Sequence, residues 1–182
     1  FDNYRSFMGI FQSQLEHLSQ SGPYCFNDMD MLTAGMYSQG NVAIGKPCTD
    51  SEYRMQFSLW CLSGTPLIMG ADIRGIPPQI ERLLLNKELI SINQDPECRP
   101  PCLAGKRSVM IPLENSDEAT EPLRVIKDKL FTFIKHLSNQ KFIIAYYNLY
   151  EEEQEIQCIF ADVGLPYASG YGFDMTDVFT WE

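Results

Sequence analysis

Ser21-Gly22-Pro23-Tyr24-Cys25-Phe26-Asn27-Asp28-Met29-Asp30-Met31-Leu32 is the stretch on which the reading of this chain turns. A Gly-Pro turn precedes a short apolar run, Tyr24-Cys25-Phe26, which predicts a buried strand over residues 24–27. The run leads directly into two carboxylates. On extended backbone, residues two apart point the same way, so Asp28 and Asp30 are expected to share a face at the end of that strand. In an α/β barrel, the ends of strands are where ligand groups gather.

Working outward, the first half alternates helix and strand. Phe7, Ile10, Phe11, Leu15 and Leu18 recur at helical spacing and predict an amphipathic helix from Asp2 to Gln20. Residues 35–46 are rich in glycine and polar side chains and read as a long loop. Thr49 followed by Glu52 has the spacing of a capping box, predicting a helix that stops near Ser63-Gly64. Pro66 to Met69 reads as a second short buried strand. Helices are expected over Pro77–Leu85, with prolines tolerated in the first turn, and over Lys87–Ile92. Alternation of this kind implies parallel strands joined by crossover helices.

Composition shifts after Asp95, where Pro96, Pro100 and Pro101 fall among Cys98 and Cys102. A domain boundary is expected there, giving domains of residues 1–97 and 98–182. Beyond it the period becomes two. Leu130–Leu137 and Lys141–Leu149, separated by Ser138-Asn139-Gln140, predict a hairpin. Further extended segments are expected over Gln154–Phe160 and Gly170–Val178, making an antiparallel sheet.

The bulk composition narrows the function. The 182 residues are 45% hydrophobic and 21% charged, with a formal net charge of -10 and a pI near 4.6. An acidic chain without a basic patch is a poor partner for nucleic acid. No run approaches the ~20 apolar residues of a membrane span. The six cysteines lack zinc-site spacing, and neither His17 nor His136 lies near a cysteine pair. Neither a metal nor a cofactor is called for. Cys25 and Cys61 lie in apolar runs and are expected to be buried thiols. Cys98 and Cys102 have the spacing for a small disulfide loop in an exported protein. The set as a whole reads as reduced, which favours a cytoplasmic, bacterial setting over secretion. The chain opens in mid-helix at Phe1 and ends at Trp181-Glu182 just after a strand-like run, the pattern of an internal piece of a longer protein.

With these pieces in order, the chain resembles the α-galactosidases of glycoside hydrolase family 27, retaining α-glycosidases. Phe26-Asn27-Asp28-Met29-Asp30-Met31-Leu32 is similar to the family's Trp-Asn-Asp-Pro-Asp-Met-Leu, with Phe for Trp and Met for Pro. Gln56-Phe57-Ser58-Leu59-Trp60, Gly64-Thr65-Pro66-Leu67-Ile68-Met69, Asp72-Ile73-Arg74 and Ile92-Asn93-Gln94-Asp95 follow in the family's order. The resemblance implies the C-terminal part of a (β/α)8 barrel, from its sixth helix to its eighth, then a partial antiparallel β-sandwich domain.

It also implies release of terminal α-linked galactose from oligosaccharides. In that chemistry a nucleophilic Asp and an acid/base Asp stand ~5–5.5 Å apart. Both are expected upstream of Phe1, the acid/base by about two residues when placed from barrel order. Asp2 lies close to that position without matching it. What the resemblance leaves on this chain is substrate binding. Asp30 would accept hydrogen bonds from sugar hydroxyls, and Met31 would pack on the sugar's apolar side. Asp28 stands beside them, with Asn27, bracing the loop. Asp72 and Arg74 are expected to pair locally and shape a loop. Asn93-Gln94-Asp95 is expected to bond backbone at a helix exit. Trp60 reads as core, and both histidines as solvent-facing. The implied partner is a galactose-containing oligosaccharide. Assembly state is open, a homo-oligomer included. The alternatives are a sister specificity such as α-N-acetylgalactosaminidase, and a non-catalytic carbohydrate-binding or structural fragment.

Overall fold

A computed structural model describes residues 1–40, 45–108, 128–165 and 172–180. The chain divides into two compact units, residues 1–101 with 136–141, and residues 102–135 with 142–182.

The first unit is helical around one short parallel pairing. Helix α1 (Tyr4–Gln14) starts at Asn3, whose side chain accepts from the Ser6 amide at 2.8 Å, and buries Phe7, Met8 and Phe11. The regular helix ends earlier than the apolar period suggests. A 3-10 turn at Leu18–Gln20 then buries Leu18 without continuing the α-helical ladder. Helix α2 (Asp50–Ser63) has the expected capping box. The Glu52 amide donates to Thr49 Oγ1 at 3.3 Å, and the Thr49 amide donates to Glu52 Oε2 at 2.6 Å. It ends on Gly64 at φ 71°, a left-handed cap that favours glycine. Every residue from Gln56 to Ser63 is buried. A helix buried all round lies among other elements, and α2 packs against α1, α3 (Pro78–Leu84) and α4 (Lys87–Asn93). Asn86 caps α4 by accepting from the Glu88 and Leu89 amides.

The strand expected over residues 24–27 does not form. Gly22 and Cys25 pair across a tight turn, exchanging backbone hydrogen bonds of 2.8 and 3.0 Å, with Tyr24 at φ 66°. Proline at the first corner and a positive φ at the second fit a type II turn. That geometry overrides the β-propensity of an aromatic run. Tyr24 is 100% exposed and Cys25 is exposed rather than buried, whereas Cys61 is buried as expected. The parallel pairing comes a few residues later. The Leu32 amide donates to the Ile68 carbonyl and the Gly70 amide to the Leu32 carbonyl, both at 2.8 Å, forming a parallel bridge between Leu32 and Met69. Pro66–Met69 is less buried than predicted, with Ile68 60% exposed.

The second unit is a three-stranded antiparallel sheet, β1 (Cys102–Ser108), β2 (Asp128–His136) and β3 (Phe142–Asn148), in that order. Sequence patterning found the hairpin and missed β1, which follows directly on the proline-rich stretch. Central β2 is buried on both faces. Phe131 and Phe133 stack on one side and Phe133 meets Tyr147 edge-on. Ile134 packs with Val163 and Leu165, bordered by Phe142, Phe160 and Phe173. No strand forms over residues 154–160 or among residues 172–178, while residues 170 and 171 lie outside the described residues. The Phe160–Val163 segment is a 3-10 turn instead.

Candidate functional site

Three side chains on one stripe of α2 organise the loop that carries the two aspartates. Tyr53, Gln56 and Trp60 follow helical spacing, three and four apart, so they share a face. Read down the helix, they engage the loop in reverse order. The Tyr37 amide donates to the Tyr53 hydroxyl at 2.8 Å, and the Thr33 amide donates to Gln56 Oε1 at 3.1 Å. Trp60 Nε1 donates to the Asp30 carbonyl at 2.8 Å. All three side chains are essentially inaccessible to solvent, so each bond forms where an unmade partner is costly. Sequence reasoning placed Trp60 in the core and missed its polar role. The available signal was a glutamine and an indole N–H four residues apart, beside and within the apolar half of the helix, Phe57 to Leu62.

Further bonds fix the same loop. The Met29 amide donates to Thr65 Oγ1 at 2.9 Å, and Asn93 Nδ2 donates to the Thr65 carbonyl at 2.8 Å. Asn93 thus ties α4 to the segment that pairs with the loop. Asp95 accepts from the Glu97 amide at 3.2 Å and from the amide and hydroxyl of Ser138 at 2.9 and 2.8 Å. This agrees with the backbone-bonding role read from sequence.

The two carboxylates do different jobs. Asp28 Oδ1 accepts from the Asp30 amide at 2.8 Å, and Asn27 Nδ2 donates to the His17 carbonyl at 2.8 Å. Both brace the loop. Asp30 itself sits at φ 67°, a left-handed conformation uncommon outside glycine. The shared strand face expected for the pair is therefore absent, because the extended backbone it requires ends at Asp30. The Met31 amide donates to Asp30 Oδ1 at 2.7 Å. The other carboxylate oxygen accepts from no described residue, and the side chain is exposed.

Asp30 and Met31 form the rim of a small hollow of about 40 Å³, with buried Thr33 and Gln56 deeper and Phe1, Phe7 and Ile10 along the side. That volume holds a few waters, not a hexose. Met31 lies across Gly70. A Cβ there would collide with the Met31 sulfur and stand 3.1 Å from the Leu32 carbonyl.

Asp2 is wholly buried and does not reach the hollow's lining. It accepts from the Tyr53 hydroxyl at 2.8 and 3.0 Å and from the Ser38 amide at 2.8 Å. Tyr37 and Ser38 are consecutive left-handed residues, and their N–H groups turn inward to hold this network, a concavity of the kind that binds anions. Burial, and then donation to Asp2, pushes the Tyr53 phenol far above its ordinary range. Burial followed by the bond to Asp50 pushes Tyr37 up to about 12, and burial beside Asp2 does the same to the Cys48 thiol.

Asp72 and Arg74 form an exposed fork, with Arg74 Nε 2.9 Å from Oδ1 and the terminal nitrogen 2.6 Å from Oδ2. Arg74 holds the Asp72 carboxyl below its usual value. The pair shapes its own 3-10 turn, as expected. His17 and His136 are exposed. Among the described residues, no cluster of histidine, cysteine and carboxylate side chains is arranged to hold a metal.

A parallel pairing packed among helices, with a left-handed aspartate two residues before it, gives the first unit an α/β character. The model of the family described as Alpha galactosidase A, Melibiase_2, matches residues 1–95. The chain belongs to this family. The α-galactosidase of Oryza sativa subsp. japonica is 34% identical over 94 residues, 52% of this chain and 20% of that protein. The chain spans about a fifth of the length of the curated relatives it matches. The structure of α-galactosidase from Saccharomyces cerevisiae with raffinose superposes with a TM-score of 0.68 at 20% identity, covering 91% of this chain and 32% of that one. A GH27 β-L-arabinopyranosidase from Geobacillus stearothermophilus gives 0.64 at 19%, covering 90% and 34%. These two likenesses speak to fold alone.

Proposed function

We propose that this chain supplies the sugar-binding end of a retaining α-galactosidase. In this reading, residues 1–97 are the last units of a (β/α)8 barrel and residues 98–182 a partial β-sandwich domain. The nucleophile and the acid/base come from sequence preceding Phe1. The substrate is an oligosaccharide ending in α-linked galactose. One carboxylate attacks the anomeric carbon as the other protonates the leaving oxygen, and water then releases galactose with retained configuration.

The observation that carries the reading is Asp30. A strained conformation held from three sides, with one carboxylate oxygen left open at the rim of a hollow, is what a hydroxyl-accepting group requires. Met31 beside it offers an apolar contact to the sugar's C–H face. Asp28 serves by fixing the Asp30 amide. Most of the hexose cavity is then formed by the preceding units, in keeping with the small size of the hollow.

The test is hydrolysis of a chromogenic α-galactoside by the full-length protein. Asp30→Ala should lower kcat/KM about 100-fold, the loss of one or two charge-assisted hydrogen bonds. Nuclear magnetic resonance of the first product should show the α-anomer. A β-L-arabinopyranoside serves as the control for a sister specificity. Turnover of that glycoside or of an α-N-acetylgalactosaminide, with none of an α-galactoside, would select a sister enzyme. Galactose binding by calorimetry without turnover of any glycoside would select a binding module.

A further inference from the structure

We propose that Trp60 is a positioning residue that sets the Asp30 carboxylate in place through its indole N–H. The inference rests on the reading of Asp30 as a sugar-binding group and adds the device that aims it. Aspartate visits the left-handed region when hydrogen bonds hold it there, and Asp30 stands at φ 67°. Three contacts over-determine it. The amide is taken by Asp28 Oδ1, and the Asp30 carboxylate bonds the next amide. The carbonyl is taken by Trp60 Nε1 at 2.8 Å. The first two are local to the loop and move with it. Of the three, only the third anchors the peptide to a rigid element, because Trp60 is 0% exposed in the last turn of a helix buried from Gln56 to Ser63.

The α2 stripe makes the anchoring directional. Tyr53 and Gln56 hold residues 37 and 33 and fix the far part of the loop. Trp60 alone reaches the residue whose carboxylate stands at the hollow. Rotation of the Asp30–Met31 peptide out of the left-handed region would turn the carbonyl from the indole and swing both rim side chains together.

The test is a double-mutant cycle in the full-length enzyme. Trp60→Phe keeps most of the ring packing and removes the donor. With Trp60→Phe alone, the inhibition constant for galactose and the KM for p-nitrophenyl α-galactoside should rise about tenfold, the scale of one part-buried hydrogen bond lost. In an Asp30→Ala background the same substitution should raise neither, while lowering the melting temperature equally in both backgrounds. A crystal structure of Trp60→Phe should show Asp30 outside the left-handed region. Equal loss of affinity in both backgrounds, or wild-type galactose affinity in Trp60→Phe, would overturn the proposal. If Trp60→Phe does not fold, benzothienylalanine at position 60 replaces the N–H by sulfur and preserves the two-ring shape. The functional reading fails separately, if the unmodified enzyme does not bind galactose or Asp30→Ala costs nothing. The φ of Asp30 in the substituted crystal then judges positioning alone. Departure from the left-handed region supports it, and retention refutes it.

Discussion

Replacing Asp2 should unfold the first unit's loop without touching the proposed chemistry. The carboxylate has no solvent exposure and takes bonds from two groups, the Tyr53 hydroxyl at 2.8 and 3.0 Å and the Ser38 amide at 2.8 Å. Asp2→Ala strands both donors in a buried site. At about 1–3 kcal/mol for each of the two unsatisfied buried groups, the expected loss is about 2–6 kcal/mol. Asp2→Asn keeps one acceptor and presents an N–H₂ where an oxygen stood, so about half that loss is expected. Tyr53→Phe removes the shared bond and also frees the Tyr37 amide. Because the two side chains meet, the double variant should fall short of the sum by about 1–3 kcal/mol. Urea unfolding of the full-length protein followed by fluorescence gives all four corners of the cycle. In Asp2→Asn, kcat measured well below the shifted melting point should stay within a few-fold of wild type. Unchanged stability with turnover abolished would refute this reasoning and return Asp2 to the catalytic candidates.

Gly70→Ala should cost about 1–3 kcal/mol by overpacking, since its new methyl group collides with the Met31 side chain and stands 3.1 Å from the Leu32 carbonyl; thermal melts check this, and a raised KM for the α-galactoside would accompany displacement of Met31. Alkaline pH should destabilise the first unit. The Cys48 and Tyr37 groups are each pushed up to about 12, from ordinary values of 9.0 and 10.0. Their protonated forms are favoured by folding, so the contribution is intact below pH 9.0 and is lost as pH climbs toward about 12. Melting temperature against pH should therefore decline from pH 9.0 in the wild type, and in Cys48→Ala the decline should begin nearer 10.0, the ordinary value for tyrosine.

Local signals in the sequence carried the helices. The Thr49–Glu52 capping box, Pro78 in a first turn and the alternation over residues 130–149 act within a few residues of themselves. Each appears in the structure where the pattern put it. The order of short motifs likewise pointed to the family before any coordinate was known. Local reasoning failed where two segments compete for the same backbone. Tyr24-Cys25-Phe26 has strand propensity, yet Pro23 and the Gly22–Cys25 pairing bend it into an exposed turn. Strand β1, just beyond the proline-rich run, lacks an alternating pattern of its own and takes its register from β2.

The sequence by itself determined which residues are chemically able to serve: a carboxylate at 30, a soft apolar neighbour at 31, and a helix bearing Tyr53, Gln56 and Trp60 on one face. Only the tertiary structure decided their roles. Packing of α2 against the loop placed an indole N–H on the Asp30 carbonyl and buried Asp2 against Tyr53, while Asp28 became a brace on the Asp30 amide. The reason is physical. Propensity and periodicity are set by neighbours along the chain, whereas a hydrogen bond between residues 30 and 60 exists only after the intervening segment has closed and paid its entropy.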